Sequence, residues 1–412
     1  MAVSPPSRSG ALLRSVMRAV VAVPMAPLIV CAALLARVSA GPRRHARRRP
    51  RLIWGPVPII SIKYWSQSLR ERGWDSRTCV YGFYAINERA DFDHHYEDFL
   101  PAGLAFEAFR PYAVFLWVLR TADVYLSFFD GGFLSMTALR RLELPLLRLA
   151  GMSMIVSPYG SDIAVPGHIG VAEERLLRDY PEIARNGERV RRRVDTFARW
   201  ADLIVRNYQY GYMPRWDVLW PTQIAIDAEH WRPAPGEPGT SDGHAGEVVV
   251  VHAPNHRHIK GTDDLIATID ELRAEGLPVR LDLIEKRPNS EVRSAVMRCD
   301  IVAEQFIAGY ALFGIEGMAV ARPVLSALAW MAPEVRSNLE LRGLPIVDTE
   351  LANLKDNLRA LVEDPARRHA LGIAGRAFVE HHHSYEAVGK VWAGLIEHVW
   401  DGRPLPDDVE AA

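Results

Sequence analysis

Residues 248–276 read VVVV-HAPNHRHIKG-TDDLIATIDELRAEG. Val248 to Val251 is an unbroken apolar run, the pattern of a strand buried on both faces. Thr262 reads as a helix N-cap, with Asp263 and Asp264 in the first turn. Leu265, Ile269 and Leu272 form one apolar stripe, and Gly276 ends the helix. Strand, loop and helix in this order form the unit of a parallel sheet covered by helices. The loop between them turns backbone N–H groups and a positive dipole end toward whatever binds there, which favours a phosphate. Arg257 and Lys260 would add full charges. Lysine is scarce in this chain, occurring only at Lys63, Lys260, Lys286, Lys355 and Lys390. A solvated basic loop is the competing reading.

The same rhythm extends outward in both directions. Upstream, strands read at 51–54, 78–81, 124–129, 154–157 and 203–206. Helical patterns lie between them, notably over 104–120 and 133–149. Gly55 opens a Gly-Pro-Val-Pro turn after the first strand, and a helix follows to Arg72. Downstream, strands read at 279–284, 301–303, 323–327 and 345–347, and residues 353–400 read as successive helices. Residues 232–246 are rich in Pro and Gly with no apolar face, which marks a linker. The expected organisation is a head over 1–50, an α/β domain over 51–231, the linker, a second α/β domain over 247–383, and a helix and tail over 384–412. Two such domains leave a cleft between the carboxyl ends of their strands, which suits joining two substrates with water excluded.

A second chemistry-bearing segment runs Gly309-Tyr310-Ala-Leu-Phe-Gly314-Ile-Glu316-Gly-Met-Ala-Val-Ala-Arg-Pro323. Glu316 lies among apolar neighbours, where a carboxylate is costly unless hydrogen-bonded. A ribose diol would supply two donors; a carboxylate supporting its own helix is the alternative.

The two segments together resemble the nucleotide-sugar half of the GT-B glycosyltransferases, and glycosyltransferase family 4 in particular. Lys260-Gly261 is similar to that family's lysine–glycine element at the donor diphosphate. Asp300-Ile-Val, Gly314-Ile-Glu316-Gly-Met-Ala and Arg322-Pro-Val resemble its donor-nucleotide signature, in which Glu316 would contact the ribose. Pro158-Tyr159-Gly160-Ser161-Asp162 resembles a His-Gly-Ser-Asp element of the first domain. The resemblance covers about residues 51–400. It implies two Rossmann-like domains facing a central cleft, with a last helix that returns to the first domain and buries Trp392 and Trp400. It also implies a retaining transfer of a sugar from a nucleoside diphosphate to an acceptor hydroxyl, with no essential metal and no further cofactor. Lys260 and Arg257 would stabilise the leaving diphosphate. Gly55, Asn255, Gly261, Gly309 and Tyr310 would line the donor, and neighbours of Gly309 would offer backbone N–H groups to it. Asp162, Tyr159, Gly160 and Ser161 would serve the acceptor side. Three positions depart from the family. Ala308 stands where the first of two paired glutamates is usual, Asn255 where an arginine is, and Tyr159 where the histidine is. The first departure keeps a second reading open, a non-catalytic nucleotide-sugar-binding subunit. A nucleotide-sugar epimerase or hydrolase on the same fold is a third.

The net charge of −1 over 412 residues hides a split. Residues 1–51 hold ten arginines and no lysine, aspartate or glutamate, which leaves −11 for the remainder. An acidic body argues against nucleic acid as a partner. Between Arg18 and Arg37 the chain is uncharged, about 27 Å as a helix against a hydrocarbon core of about 30 Å. Pro24 and Pro27 would kink it. A membrane anchor or shallow re-entrant segment, a cleaved signal ending at Val38-Ser39-Ala40, and a disordered extension all fit. Arginines on both sides, most of them after the run, favour a cytoplasmic body held at an anionic membrane surface. Cys31, Cys79 and Cys299 form no CxxC pair and fit a reducing compartment. Asp91-Phe-Asp93 reads as a solvated acidic loop rather than a metal site. His381 to His383 reads as a cluster whose charge favours a helix C-terminus.

Overall fold

The computed structural model describes residues 8–46, 49–84, 87–170, 173–233, 246–287, 289–307, 309 and 311–412. The head forms α1 (Arg8–Ala46), unbroken through Pro24 and Pro27. Next come β1 (Leu52–Trp54), α2 (Ser61–Glu71), β2 (Ser76–Val80), β3 (His94–His95), α3 (Leu104–Glu107), α4 (Arg110–Thr121) and β4 (Val124–Ser127). They are followed by α5 (Glu143–Leu149), β5 (Ser153–Val156), α6 (Glu173–Asp179), α7 (Pro181–Trp200), β6 (Leu203–Arg206) and β7 (Val218–Leu219). The second half contains β8 (Val248–His252), α8 (Arg257–Lys260), α9 (Thr262–Ala274), β9 (Val279–Leu283), α10 (Asn289–Arg298), β10 (Ile301–Gln305), α11 (Leu312–Ala319) and β11 (Val324–Ser326). The chain closes with α12 (Pro333–Leu341), β12 (Val347–Asp348), α13 (Leu354–Glu363), α14 (Pro365–His382), α15 (Tyr385–Asp401) and β13 (Glu410–Ala411). Most of the expected linker, residues 234–245, lies outside the described residues.

Internal contacts divide the chain into two compact units. The first comprises Met1–Ser157, Arg192–Val205 and Trp392–Pro406; the second comprises Pro158–Arg191, Arg206–Val391 and Asp407–Ala412. In the first unit the strand order is β6-β5-β4-β1-β2-β3, with parallel pairing throughout. In the second it is β12-β11-β10-β8-β9, again parallel. Each unit is the helix-covered parallel sheet expected from the strand/helix rhythm.

An aspartate at the start of a strand pins its neighbour in three places. Asp123 Oδ2 accepts from Arg51 N at 3.0 Å, Asp202 Oδ2 from Met154 N at 2.8 Å, and Asp300 Oδ2 from Val249 N at 2.7 Å. Each satisfies a backbone donor at a strand's entry that the ladder leaves unused. The first unit's core contains an aromatic cluster that joins distant parts of the chain. Trp392 of α15 meets Trp54 of β1 edge-on at 5.1 Å and Trp65 of α2 at 5.2 Å. Trp392 is buried, whereas Trp400 is half-buried.

Two expected helices are shorter than their patterns suggest, each because of a proline. The 104–120 pattern splits into α3 and α4, and Pro111 takes the first turn of α4. The 133–149 pattern yields only α5, with Pro145 in its first turn. Proline has no N–H, and its ring collides with the carbonyl four residues back, so both helices restart around it. Ahead of α5, the Glu143 carboxylate accepts from Phe133 N and Leu134 N at 2.6 and 2.7 Å, holding that stretch as a loop. The acidic stretch after β2 is structural. Asp91 accepts from Lys63 at 2.6 Å, and Asp93 accepts from Arg70 and from the Thr78 amide. The histidine cluster also corrects its expectation. His383 is fully buried with Nδ1 at 2.7 Å from Ile224 O, and burial lowers its pKa to about 3. It is neutral and carries no charge to the helix end.

Trp392→Ala should destabilise the protein by about 3–5 kcal/mol, the cost of emptying a large aromatic site. A denaturant titration that shows no loss would mean that α15 does not hold the first unit together.

Candidate functional site

In the second sheet the chain leaves β8 for β9 on one side and returns to β10 on the other. Ligands of open α/β sheets sit beyond the carboxyl ends of the strands at such a reversal. The segments that follow β8 and β10 there are α8, α9 and α11. They carry Arg257, Lys260, Gly261 and Glu316.

Lys260 ends α8 and is nearly buried, with a side chain 10% exposed. Its Nζ donates to Glu304 Oε1 at 2.7 Å, and Glu304, on β10, is fully buried. The other oxygen of Glu304 accepts from Ala311 N at 2.8 Å and Gly314 N at 2.7 Å, at the start of α11. One carboxylate thus satisfies the lysine and two helix-start amides. Glycines allow this close approach. A Cβ on Gly314 would lie 2.7 Å from Glu304 Oε2, and one on Gly317 would lie 2.8 Å from Val302.

Glu316 is buried on the same helix. Burial, reinforced by the neighbouring Glu304 and opposed by Lys260, raises its pKa to about 8. It keeps its proton at neutral pH, and a neutral carboxyl can both give and accept a hydrogen bond. His252, at the end of β8, donates from Nδ1 to Ala303 O at 2.7 Å and accepts from Thr262 Oγ1 at 2.9 Å. Burial lowers its pKa to about 4, so it is neutral and locks the strand end to α9. This corrects the expected cap. Thr262 is the first helical residue, and its hydroxyl is turned to His252 instead of the helix amides.

Arg257 starts α8. Its guanidinium binds both oxygens of Glu285 at 2.7 and 2.9 Å and Asp263 at 2.7 Å. Both cations expected to meet a diphosphate are therefore already paired by carboxylates. Gly261 joins α8 to α9 in the left-handed region at φ 70°, where leucine and phenylalanine side chains crowd its missing Cβ. Asn255 is exposed and Gly309 is buried against Met331. Tyr310 and Ala308 lie outside the described residues.

The remaining expected residues lie elsewhere. Gly55 belongs to the first unit, where a Cβ would strike Cys79 O at 2.0 Å. Pro158 to Ile163 belongs to the second unit. There buried Asp162 accepts from Tyr159 N at 3.0 Å and Gly160 N at 2.9 Å, shaping its own loop, and Ser161 is exposed. Sequence reasoning missed Glu304. Its signal was a lone acidic residue inside the apolar strand Ile301-Val-Ala-Glu304, which demands a buried partner.

Two outcomes follow from this cluster. Glu304→Ala should cost about 3–5 kcal/mol by stripping the partner from a buried ammonium. The double variant Glu304→Gln, Lys260→Met should recover much of that, and a double variant as unstable as the single one would locate the cost in packing. Second, the carboxyl of Glu316 has an ordinary pKa of 4.5 when unfolded and about 8 when folded. The folded state then binds more protons across that window, so this group's stabilisation is full below pH 4.5 and is lost as pH rises to about 8. Glu316→Gln should flatten that fall in a pH series of unfolding curves; an unchanged slope would refute it.

No family model matches the chain. Over 91 residues it is 31% identical to a GDP-mannose-dependent monoacylated alpha-(1-6)-phosphatidylinositol monomannoside mannosyltransferase of Corynebacterium glutamicum. That stretch is 22% of this chain and spans 23% of the length of the curated relative. Among solved structures, HepE of Anabaena in complex with UDP superposes with a TM-score of 0.54 at 13% identity, covering 84% of this chain and 99% of that one. The glycosyltransferase SnogD of Streptomyces nogalater superposes at 0.40 with 15% identity, over 84% of this chain and all of that one, 100%. The two parallel-sheet units and the likeness to HepE give this chain the GT-B fold of the glycosyltransferases.

Proposed function

We propose that the protein is a glycosyltransferase that moves a sugar from a nucleoside diphosphate to a hydroxyl of a carbohydrate or lipid-linked acceptor. The observation that carries this reading is the buried Lys260–Glu304–Glu316 cluster at the carboxyl ends of β8 and β10. It sits on a GT-B fold, and a reversal point of an open sheet is where a nucleotide is held. Glu316 has the proton and the lone pairs to meet a ribose diol. Lys260 supplies charge for the departing diphosphate, with Gly261 allowing close approach of the loop. Transfer proceeds with retention and without a metal. Tyr159, Gly160, Ser161 and Asp162 serve the acceptor. The local similarity to a phosphatidylinositol mannoside mannosyltransferase supports a lipid-linked acceptor. The protein works on the cytoplasmic side, with its head at the membrane.

Ala308, together with the pairing of Lys260 and Arg257 by carboxylates, favours one rival: a subunit that binds a nucleotide sugar without turning it over. A panel of UDP-, GDP- and ADP-sugars separates them. The bound donor should raise the melting temperature, and transfer should follow with a suitable acceptor. A thermal shift with neither transfer nor hydrolysis supports the binding subunit; no shift with any donor removes both readings. Lys260→Ala should weaken nucleoside diphosphate binding by about 1–3 kcal/mol, the range for a charged hydrogen bond. Unchanged affinity in a calorimetric titration would mean that Lys260 does not touch phosphate.

A further inference from the structure

Within α1, the stretch Arg18–Gly41 is long and apolar enough to cross a membrane. Its packing says otherwise. Ile29 and Ala33 are fully buried, and Val21, Ala22 and Ala36 nearly so, so one stripe is covered. The covering elements are α4 and α5 of the first unit. These helices carry Arg120 and Arg148, both exposed, and Arg148 pairs with Asp202. A helix fixed to them cannot cross hydrocarbon without drawing those charges in, at about 2.5–3.5 kcal/mol each on insertion scales.

Among the described residues, nothing covers the opposite stripe of α1. Val23 is 76% exposed, Leu35 70% and Val38 76%, with Val20, Leu28, Val30 and Leu34 beside them. Arg18 and Arg37 are exposed at the two ends of the uncharged stretch. The first 51 residues carry ten arginines and no acidic side chain; Arg51 is paired with Asp123 and Arg49 donates to Arg72 O, which leaves eight for a lipid surface. An apolar stripe bounded by arginines matches an anionic bilayer, whose acyl chains take the stripe and whose phosphates take the guanidiniums. A second copy of this chain would bring the same arginines face to face across a twofold axis.

We propose that α1 is an in-plane membrane helix built into the first unit, and that it seats that unit directly on an anionic lipid surface. This deepens the membrane reading above and rests on it. The helix does not span and is not a flexible tether; the unit itself rides on the bilayer.

Cys31 provides the probe, because it is exposed on α1 while Cys79 and Cys299 are buried. The full-length protein is labelled there with a polarity-sensitive maleimide. It is then mixed with vesicles of phosphatidylcholine, with and without phosphatidylglycerol. Emission should shift to the blue with the anionic vesicles and return as salt is raised. Val23→Glu and Leu35→Glu should each lower partitioning by roughly tenfold or more, with the melting temperature unchanged because both sites are exposed. Tags at the two chain ends should be cut from the same side of a sealed membrane. No shift with anionic vesicles overturns the proposal. So does a lipid-free dimer that already buries the Cys31 probe, or protection of one tag alone. The nucleotide-sugar thermal shift is measured on the same variants. Its loss without loss of vesicle binding counts against the transferase reading only.

Discussion

The second unit is organised around one buried carboxylate. Glu304 has no solvent to lean on, so every acceptor position must be met by protein. It is met by the Lys260 ammonium on one oxygen and by the Ala311 and Gly314 amides on the other. These donors come from the loop after β8 and from the start of α11. The carboxylate on β10 therefore fixes both segments relative to the sheet. Gly314 and Gly317 are where the cost of close approach is removed, since any side chain there would collide with β10. The same pair leaves the cluster with no surplus positive charge. Glu316 stays protonated, and Arg257 is held by Glu285 and Asp263. A diphosphate bound at Lys260 would have to share that lysine with Glu304.

A related economy of polar groups runs through both sheets. Asp123, Asp202 and Asp300 each stand at a strand's start and take a backbone donor from the strand beside it. Parallel strands are joined by long crossovers, so their register needs side-chain pins that a hairpin would not. The tryptophans close the first unit in another way. Trp54, Trp65 and Trp392 come from opposite ends of the chain and bury one another.

Much of the fold was legible because its signals are local. Val248–Val251 carry the pattern of a buried strand, and Leu265, Ile269 and Leu272 that of a helix face. Errors came where local periodicity met a proline: Pro111 and Pro145 cut helices that the apolar pattern alone would continue. Within the candidate site, Lys260, Gly261 and Glu316 stood out by type and spacing. Glu304 did not, because a single acid in a strand carries no period and no motif. Thr262 was misread for a similar reason. Its hydroxyl had two uses, and the buried His252 took it.

The sequence by itself determined the main alternation of strands and helices and the arginine-rich head. These depend on neighbours within a few residues, and a sequence lists those directly. The tertiary structure alone decided which carboxylate meets Lys260, since Glu304 lies 44 positions away. It also decided which side of α1 is covered. Residues 19–36 are uncharged all round, so no periodicity marks an inner face. Only packing against α4 and α5 separates the Ile29–Ala33 stripe from the one that remains exposed.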